Sequence, residues 1–384
     1  MAVKSVHSLS RETILVLCAG GLIVLFTVVG FASNWYRQKR TALAQEWYAR
    51  GQADLKDQKP RRAIDDFRTA LIYSPDDDLY RLHLAEALMA AGNLDEARTY
   101  LLNVREDDSE NGAVNLALAR LSARTDNTID ALRYYQSAIY GRWERNAEGQ
   151  RIQARLELCQ FLLSHGRTAE AQGELVALAG SLPAEASLHT RVARMFLQVQ
   201  DKQHALEQFR DALRLDPKRL DALLGAGEIA FESGDYRTAE RYLGRALAEQ
   251  PNDARTRSQL SIARLVLAND PFEPRLSNQE RSTRVVNLFD RALARLDDCA
   301  HILGQPVPPP SSSPLLGLQQ LYVRLEKMRP QVRVSKLSRN PDLQTSAMAL
   351  AYEAEQLAEQ RCGSPEGLDE ALLLIASAHK GSEL

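Results

Sequence analysis

The residue types that usually carry chemistry are thinly spread in this sequence. Seven histidines (His7, His83, His165, His189, His204, His301 and His379) are scattered through 384 residues. None belongs to an HExxH helix or accompanies a CxxC, the spacings that bring nitrogen and sulfur ligands onto one metal. Four cysteines, Cys18, Cys159, Cys299 and Cys362, are too few and too far apart for a disulfide framework or a zinc site. No P-loop and no G-x-S-x-G elbow is present. Gly225-Ala226-Gly227 is a bare GxG inside an apolar helical stretch, and close packing explains it better than phosphate binding. For Cys299 and Cys362 two readings stay open. They could form a disulfide in an oxidising compartment, or remain unpaired thiols, which suits a cytoplasmic face. No catalytic, cofactor-binding or metal-ligating residue is assigned.

The elements around these residues follow from composition. Bases (48) and acids (50) nearly cancel, leaving a net charge of −2, which argues against nucleic-acid binding through a basic field. Aromatics make up only 6% and strong helix formers dominate, so the chain is expected to be all-α.

One stretch departs from that composition. Ile14 to Ser33 is twenty residues without a charge, long enough as a helix to cross about 30 Å of hydrocarbon. Trp35, Tyr36, Arg37, Lys39 and Arg40 follow it as interfacial anchors would. Residues 14–34 are therefore expected to be a transmembrane helix after a short tail, 1–13, giving a single-pass protein of a bacterial-type inner or plasma membrane. The alternative is a cleaved signal peptide and a soluble secreted or periplasmic protein, although Gly30-Phe31-Ala32 is a poor cleavage site. Bases near the helix ends lean toward a cytoplasmic soluble domain.

A repeat runs through the middle of the chain. Ala63, Ala97, Ala131, Ala171, Ala205 and Ala239 are spaced by 34, 34, 40, 34 and 34 residues. Twelve residues before each is a small residue: Gly51, Ala85, Ala119, Cys159, Ala193 or Gly227. Four residues after each is a large one: Phe67, Leu101, Tyr135, Leu175, Phe209 or Leu243. Pro75, Pro183, Pro217 and Pro251 end four of the units, and Trp143 stands at that place in the third. Paired helices need such a code: small residues let two backbones approach, a large one fills the space, and proline stops the second helix. Gly92, Gly166 and Gly234 stand where a first helix must end. Cys159 is on this reading a buried packing residue.

This pattern resembles the tetratricopeptide repeat over Ala44 to Asp253, with Trp47 matching the family's tryptophan. The resemblance implies a right-handed helical solenoid of six repeats at 44–253. A degenerate seventh pair is expected at 254–302, a Pro/Ser linker at 303–314 and a C-terminal helical cap at 315–384. It also implies that first helices line a groove that takes a peptide or helix of another protein. Carried onto this chain, the groove positions include Tyr48 and Gln52, Leu82 and Glu86, and Leu116, Arg120 and Arg124. Leu156 and Gln160 follow, then Arg194, then Leu224, Glu228 and Phe231. Tyr48 and Gln52 replace the Lys and Asn of the family's carboxylate clamp, so that activity does not carry over. Leu82, Leu116, Leu156, Leu224 and Phe231 should form an apolar stripe, the alternative being that some of these leucines merely pack between repeats, and changing the three arginines to Ala should leave the fold intact.

The expected function is a membrane-anchored interaction scaffold or assembly factor with protein partners, and with neither cofactor nor small-molecule substrate. A weaker alternative is the docking arm of an enzyme with its chemistry in 315–384.

Overall fold

The computed structural model describes the backbone of residues 11–305, 307–308 and 317–379, and their side chains apart from residues 11–19, 21 and 379. Most of the expected tail 1–13, most of the linker at 303–314 and the last five residues of the cap lie outside the described residues. The first part of the apolar run lies outside the described side chains. Among the described residues the regular structure is entirely helical, apart from an isolated bridge between Asn111 and Arg142. The chain divides into two compact units, 1–174 and 175–384.

In the first unit, α1 (Arg11–Lys56) is one helix of 46 residues. The apolar run and the first repeat were expected as separate elements, with a boundary between Ser33 and Ala44. Nothing between them breaks a helix, and α1 runs through. Leu22 to Phe31 carry exposed side chains, Phe26 at 83%. Among the described residues no helix is long and apolar enough to cross a membrane.

Helices then alternate in antiparallel pairs. α2 (Pro60–Tyr73) returns along α1, followed by α3 (Asp78–Ala91) with α4 (Leu94–Asp107) and α5 (Gly112–Arg124) with α6 (Thr128–Tyr140). α7 (Ala147–Ser164) follows, and α8 (Thr168–Ala179) carries the boundary between the units. Asp77, Asn111 and Asn127 cap their helices by accepting backbone N–H groups in the first turn, which satisfies donors that have no partner within the helix.

The small-residue register works as its spacing requires. All six phase alanines and all six small partners are buried. A Cβ at Gly51 would come within 2.7 Å of the Phe67 ring, and one at Gly227 within 2.6 Å of Leu243. Each glycine thus faces the large residue of its own repeat. The turn between paired helices takes a left-handed residue every time, at positions 58, 92, 126, 166, 200 and 234. Three of these are glycine. Gln58, Asp126 and Gln200 adopt the same conformation, which side chains disfavour by about 1 kcal/mol or more.

The third repeat, which the six extra residues follow, closes without a proline. The Arg142 N–H donates to the Glu110 carbonyl (2.7 Å), and the Gly112 N–H donates to the Arg142 carbonyl (2.8 Å). Trp143 donates from Nε1 to the Ala138 carbonyl and covers Gly112, where a Cβ would lie 2.3 Å from the indole. The tryptophan at the proline position plugs the turn that proline would otherwise close.

The second unit continues the code with α9 (Ala186–Gln198) and α10 (Lys202–Leu215), then α11 (Leu220–Glu232) and α12 (Tyr236–Glu249). The expected seventh pair corresponds to α13 (Ala254–Asn269) and a longer α14 (Asn278–Ile302), which opens with a Ser277/Glu280 capping box. α15 (Gly317–Met328), the short α16 (Val334–Leu337), α17 (Pro341–Cys362) and α18 (Leu368–His379) share one apolar core with this pair. α17 packs on α14, and α18 packs on α13. They cover the face that a next repeat would otherwise need to bury.

Ala205 is fully buried and Ala268 is exposed. Ala205→Leu should therefore overpack the fifth repeat and cost roughly 1–3 kcal/mol, whereas Ala268→Leu should be nearly neutral. Equal melting temperatures for the two variants would contradict this register.

Candidate partner-binding groove

In the first unit, α1, α3, α5 and α7 place their groove positions along one face. Leu82, Leu116 and Leu156 were expected to present an apolar stripe. The structure buries them, with exposures of 7%, 3% and 1%. They are floor rather than contact surface, because an apolar side chain between stacked helices gains more from its neighbours than from water.

Polar groups stand over that floor. Tyr48 stacks on Tyr80 at 4.6 Å between ring centroids, and Gln52 Nε2 donates to its hydroxyl (2.7 Å). The same hydroxyl lies 3.2 Å from His83 Nδ1. Burial pushes the Tyr48 phenol up to about 12, helped by Tyr80, Asp77 and Glu86, so it stays neutral. Glu86 is half-buried, 3.9 Å from His83 Nε2. Arg120 makes two 2.8 Å hydrogen bonds to Glu157, which also accepts one from Gln153 (2.7 Å). Its hydrogen bond with Glu157 holds the Arg120 guanidinium above its ordinary value. Arg124 donates to the Met89 carbonyl (3.0 Å), and Gln160 is exposed.

His83 and Glu157 were not assigned to the groove from the sequence. Both sit two residues before the small position of their repeat, at Ala85 and Cys159. That shared phase, next to Leu82 and Leu156, was the available signal.

The groove positions of the second unit are more self-occupied. Arg194 pairs with Asp221 (3.2 Å), Glu228 pairs with Arg255, and half-buried Phe231 meets Tyr236 edge-on at 5.6 Å. Leu224 is half-buried. Arg120, Arg124 and Arg194 all serve intramolecular contacts, so their triple replacement would remove these contacts along with the groove charge. Arg120 in particular ties α5 to α7.

The cysteines are placed plainly. Cys159 is buried, and burial raises its thiol to about 12, far from a nucleophile's range. Cys299 on α14 and Cys362 on α17 form a disulfide.

The Tetratricopeptide repeat family model matches residues 54–121 and 197–260. Cellulose synthase operon protein C of Escherichia coli (strain K12) is 23% identical over 214 residues, 55% of this chain and 18% of that protein. Putative cellulose synthase operon protein C of Escherichia coli O157:H7 is 23% identical over 204 residues, 53% of this chain and again 18% of the relative. The chain thus spans under a fifth of the length of these relatives. Among solved structures, YrrB, described as a TPR protein with an unusual peptide-binding site, is 17% identical with a TM-score of 0.39. That match covers 50% of this chain and 95% of YrrB. The type IV pilus biogenesis factor PilW is 17% identical with a TM-score of 0.42, covering 56% of this chain and 98% of PilW. The register of small and large residues and the packing it produces agree with the tetratricopeptide repeat model over the residues that it matches, 54–121 and 197–260.

Proposed function

We propose that this chain is a protein-interaction scaffold, holding a peptide or helix of a partner against the first-helix face of residues 44–164, and that α1 anchors it to a membrane. The observation that carries the binding reading is the polar strip over a dry leucine floor. Gln52, Arg124 and Gln160 are exposed there, and Tyr48, His83, Glu86 and Arg120 are held in place by their neighbours. Preorganised donors and acceptors on rigid helices lower the ordering cost of capture. The anchor reading is supported by the exposed apolar side chains of Leu22 to Phe31 and by the aromatic and basic flank after them.

The disulfide supports an oxidising compartment for the repeats. That is the side opposite to the lean of the flanking bases, a lean that large translocated domains routinely override.

A photo-crosslinking amino acid at position 52, 124 or 160 of the full chain in its own membrane should yield one discrete protein adduct. The same group at exposed second-helix positions 99 and 133 should not. Equal labelling from both faces would remove the groove as the binding surface.

A further inference from the structure

We propose that the edge of the first repeats from which α1 emerges rests on the bilayer surface, with Ile72 and Leu79 seated among zwitterionic lipid headgroups. The proposal rests on the anchor reading above and adds a lipid-contacting surface to the repeats themselves.

The first observation is continuity. α1 has no break between the apolar run and the first repeat, so the repeat is an extension of the same rod. The second is height. Arg40 on α1 donates from Nη2 to the Ile72 carbonyl at the end of α2 (3.2 Å), so Ile72 lies within reach of the Arg40 side chain. Seven residues separate Ser33 from Arg40, about 10 Å of helix. The headgroup zone on each side of the hydrocarbon is about 5–8 Å deep. An ordinary helix tilt of about 20° lowers one side of the edge further toward that zone.

The third observation is what the edge exposes. Ile72 is 71% exposed and Leu79, in the first turn of α3, is 47% exposed. Tyr140, at the end of α6, is exposed on the same edge. They continue the interfacial pair Trp35 and Tyr36, over whose rings Lys39 and Arg40 lie at 5.1 and 6.0 Å. Large side chains of this kind, exposed in water, are suited to the boundary between headgroups and acyl chains. Ile129 is 81% exposed but begins α6 at the opposite edge, so it serves as an internal control.

Charge selects the lipid class. The loops of this edge carry Asp76, Asp77, Asp108 and Glu110, with Asp78 and Asp107 at the adjoining helix ends; Arg81 meets Asp76, Asp78 and Asp107, and Arg142 meets Asp108. Arg37, Lys39 and Arg40 add three bases on α1, Arg40 reaching the end of α2 at the Ile72 carbonyl. With acids and bases offset, apolar insertion rather than attraction to anionic lipid sets the contact.

The test uses the full chain reconstituted in phosphatidylcholine vesicles that contain lipids with a nitroxide high on the acyl chain. An environment-sensitive fluorescent amino acid is placed at position 23, 79 or 129. Quenching should be strong at 23, several-fold stronger at 79 than at 129, and unchanged when phosphatidylglycerol is added. Quenching at 23 with 79 no different from 129 would overturn the docking and leave the anchor standing. No quenching at 23 would remove the anchor, and the docking with it. Quenching at 79 only in the presence of phosphatidylglycerol would overturn the zwitterionic assignment.

Discussion

Raising the pH from about 5 to about 9 should loosen the C-terminal helices of the second unit, and Glu355→Gln should abolish most of that loss. Glu355 on α17 is fully buried. It faces Arg295 of α14 at 3.4 Å, and Arg295 and Arg291 of the same helix both engage Asp369 of α18. Tyr352 lies one turn away on α17, and burial raises its phenol well above the usual tyrosine range, so it stays neutral in this window. Burial, then the Asp369 charge, push the Glu355 carboxyl up to about 8, against the lowering by Arg295 and Arg291. The folded chain therefore holds a proton that the unfolded chain releases near the ordinary carboxylate value of about 4.3. Stability from this group is complete below that value and is lost as pH rises through about 8. The slope should be on the order of 1 kcal/mol per pH unit inside the window. Hydrogen exchange of the α17 and α18 amides measures it directly. Protection that is flat across the window in the wild-type chain would mean that Glu355 is ionised in its pair with Arg295.

Removing the Cys299–Cys362 bridge should have an effect of similar size on the same helices. The bridge closes a separation of 63 residues between α14 and α17. In the chain-entropy treatment a loop of that length contributes about 4 kcal/mol against unfolding. The double change Cys299→Ala and Cys362→Ala should lower the denaturation midpoint of residues 175–384 and leave the first unit unchanged. The first unit contains Trp35, Trp47 and Trp143, so tryptophan emission reports on it alone. In cells, a thiol reagent added without reductant should leave Cys299 and Cys362 unmodified. Full modification of both would place the repeats in a reducing compartment and remove the disulfide argument.

Both predictions concern a region whose helices were legible but whose chemistry was not. α17 and α18 appear in the sequence as apolar positions at helical spacing, for example Leu368, Ala371, Leu372 and Ile375. Nothing in that spacing says that Arg291 and Asp369, 78 residues apart, meet in one cluster with buried Glu355. The same holds for the cysteine pair. Its two members were identifiable as candidates, but their pairing required α14 and α17 to lie side by side.

The sequence by itself determined the helices, the six-fold register and the positions where only a small residue fits. Those features are local: Gly51 against Phe67 and Gly227 against Leu243 are contacts within one repeat, 16 residues apart. A regular spacing records such contacts directly. Only the tertiary structure decided which groove residues are open and which are consumed. Leu82, Leu116 and Leu156 share a groove phase with half-buried Tyr48, yet stacking buries them. Arg120 is paired because Glu157, 37 residues on, comes to lie beside it on the next first helix. The run into α1 was settled in the same way. Composition marked a change near Ser33, but the absence of any helix-breaking residue let one helix carry both segments, since backbone hydrogen bonds propagate regardless of where hydropathy changes.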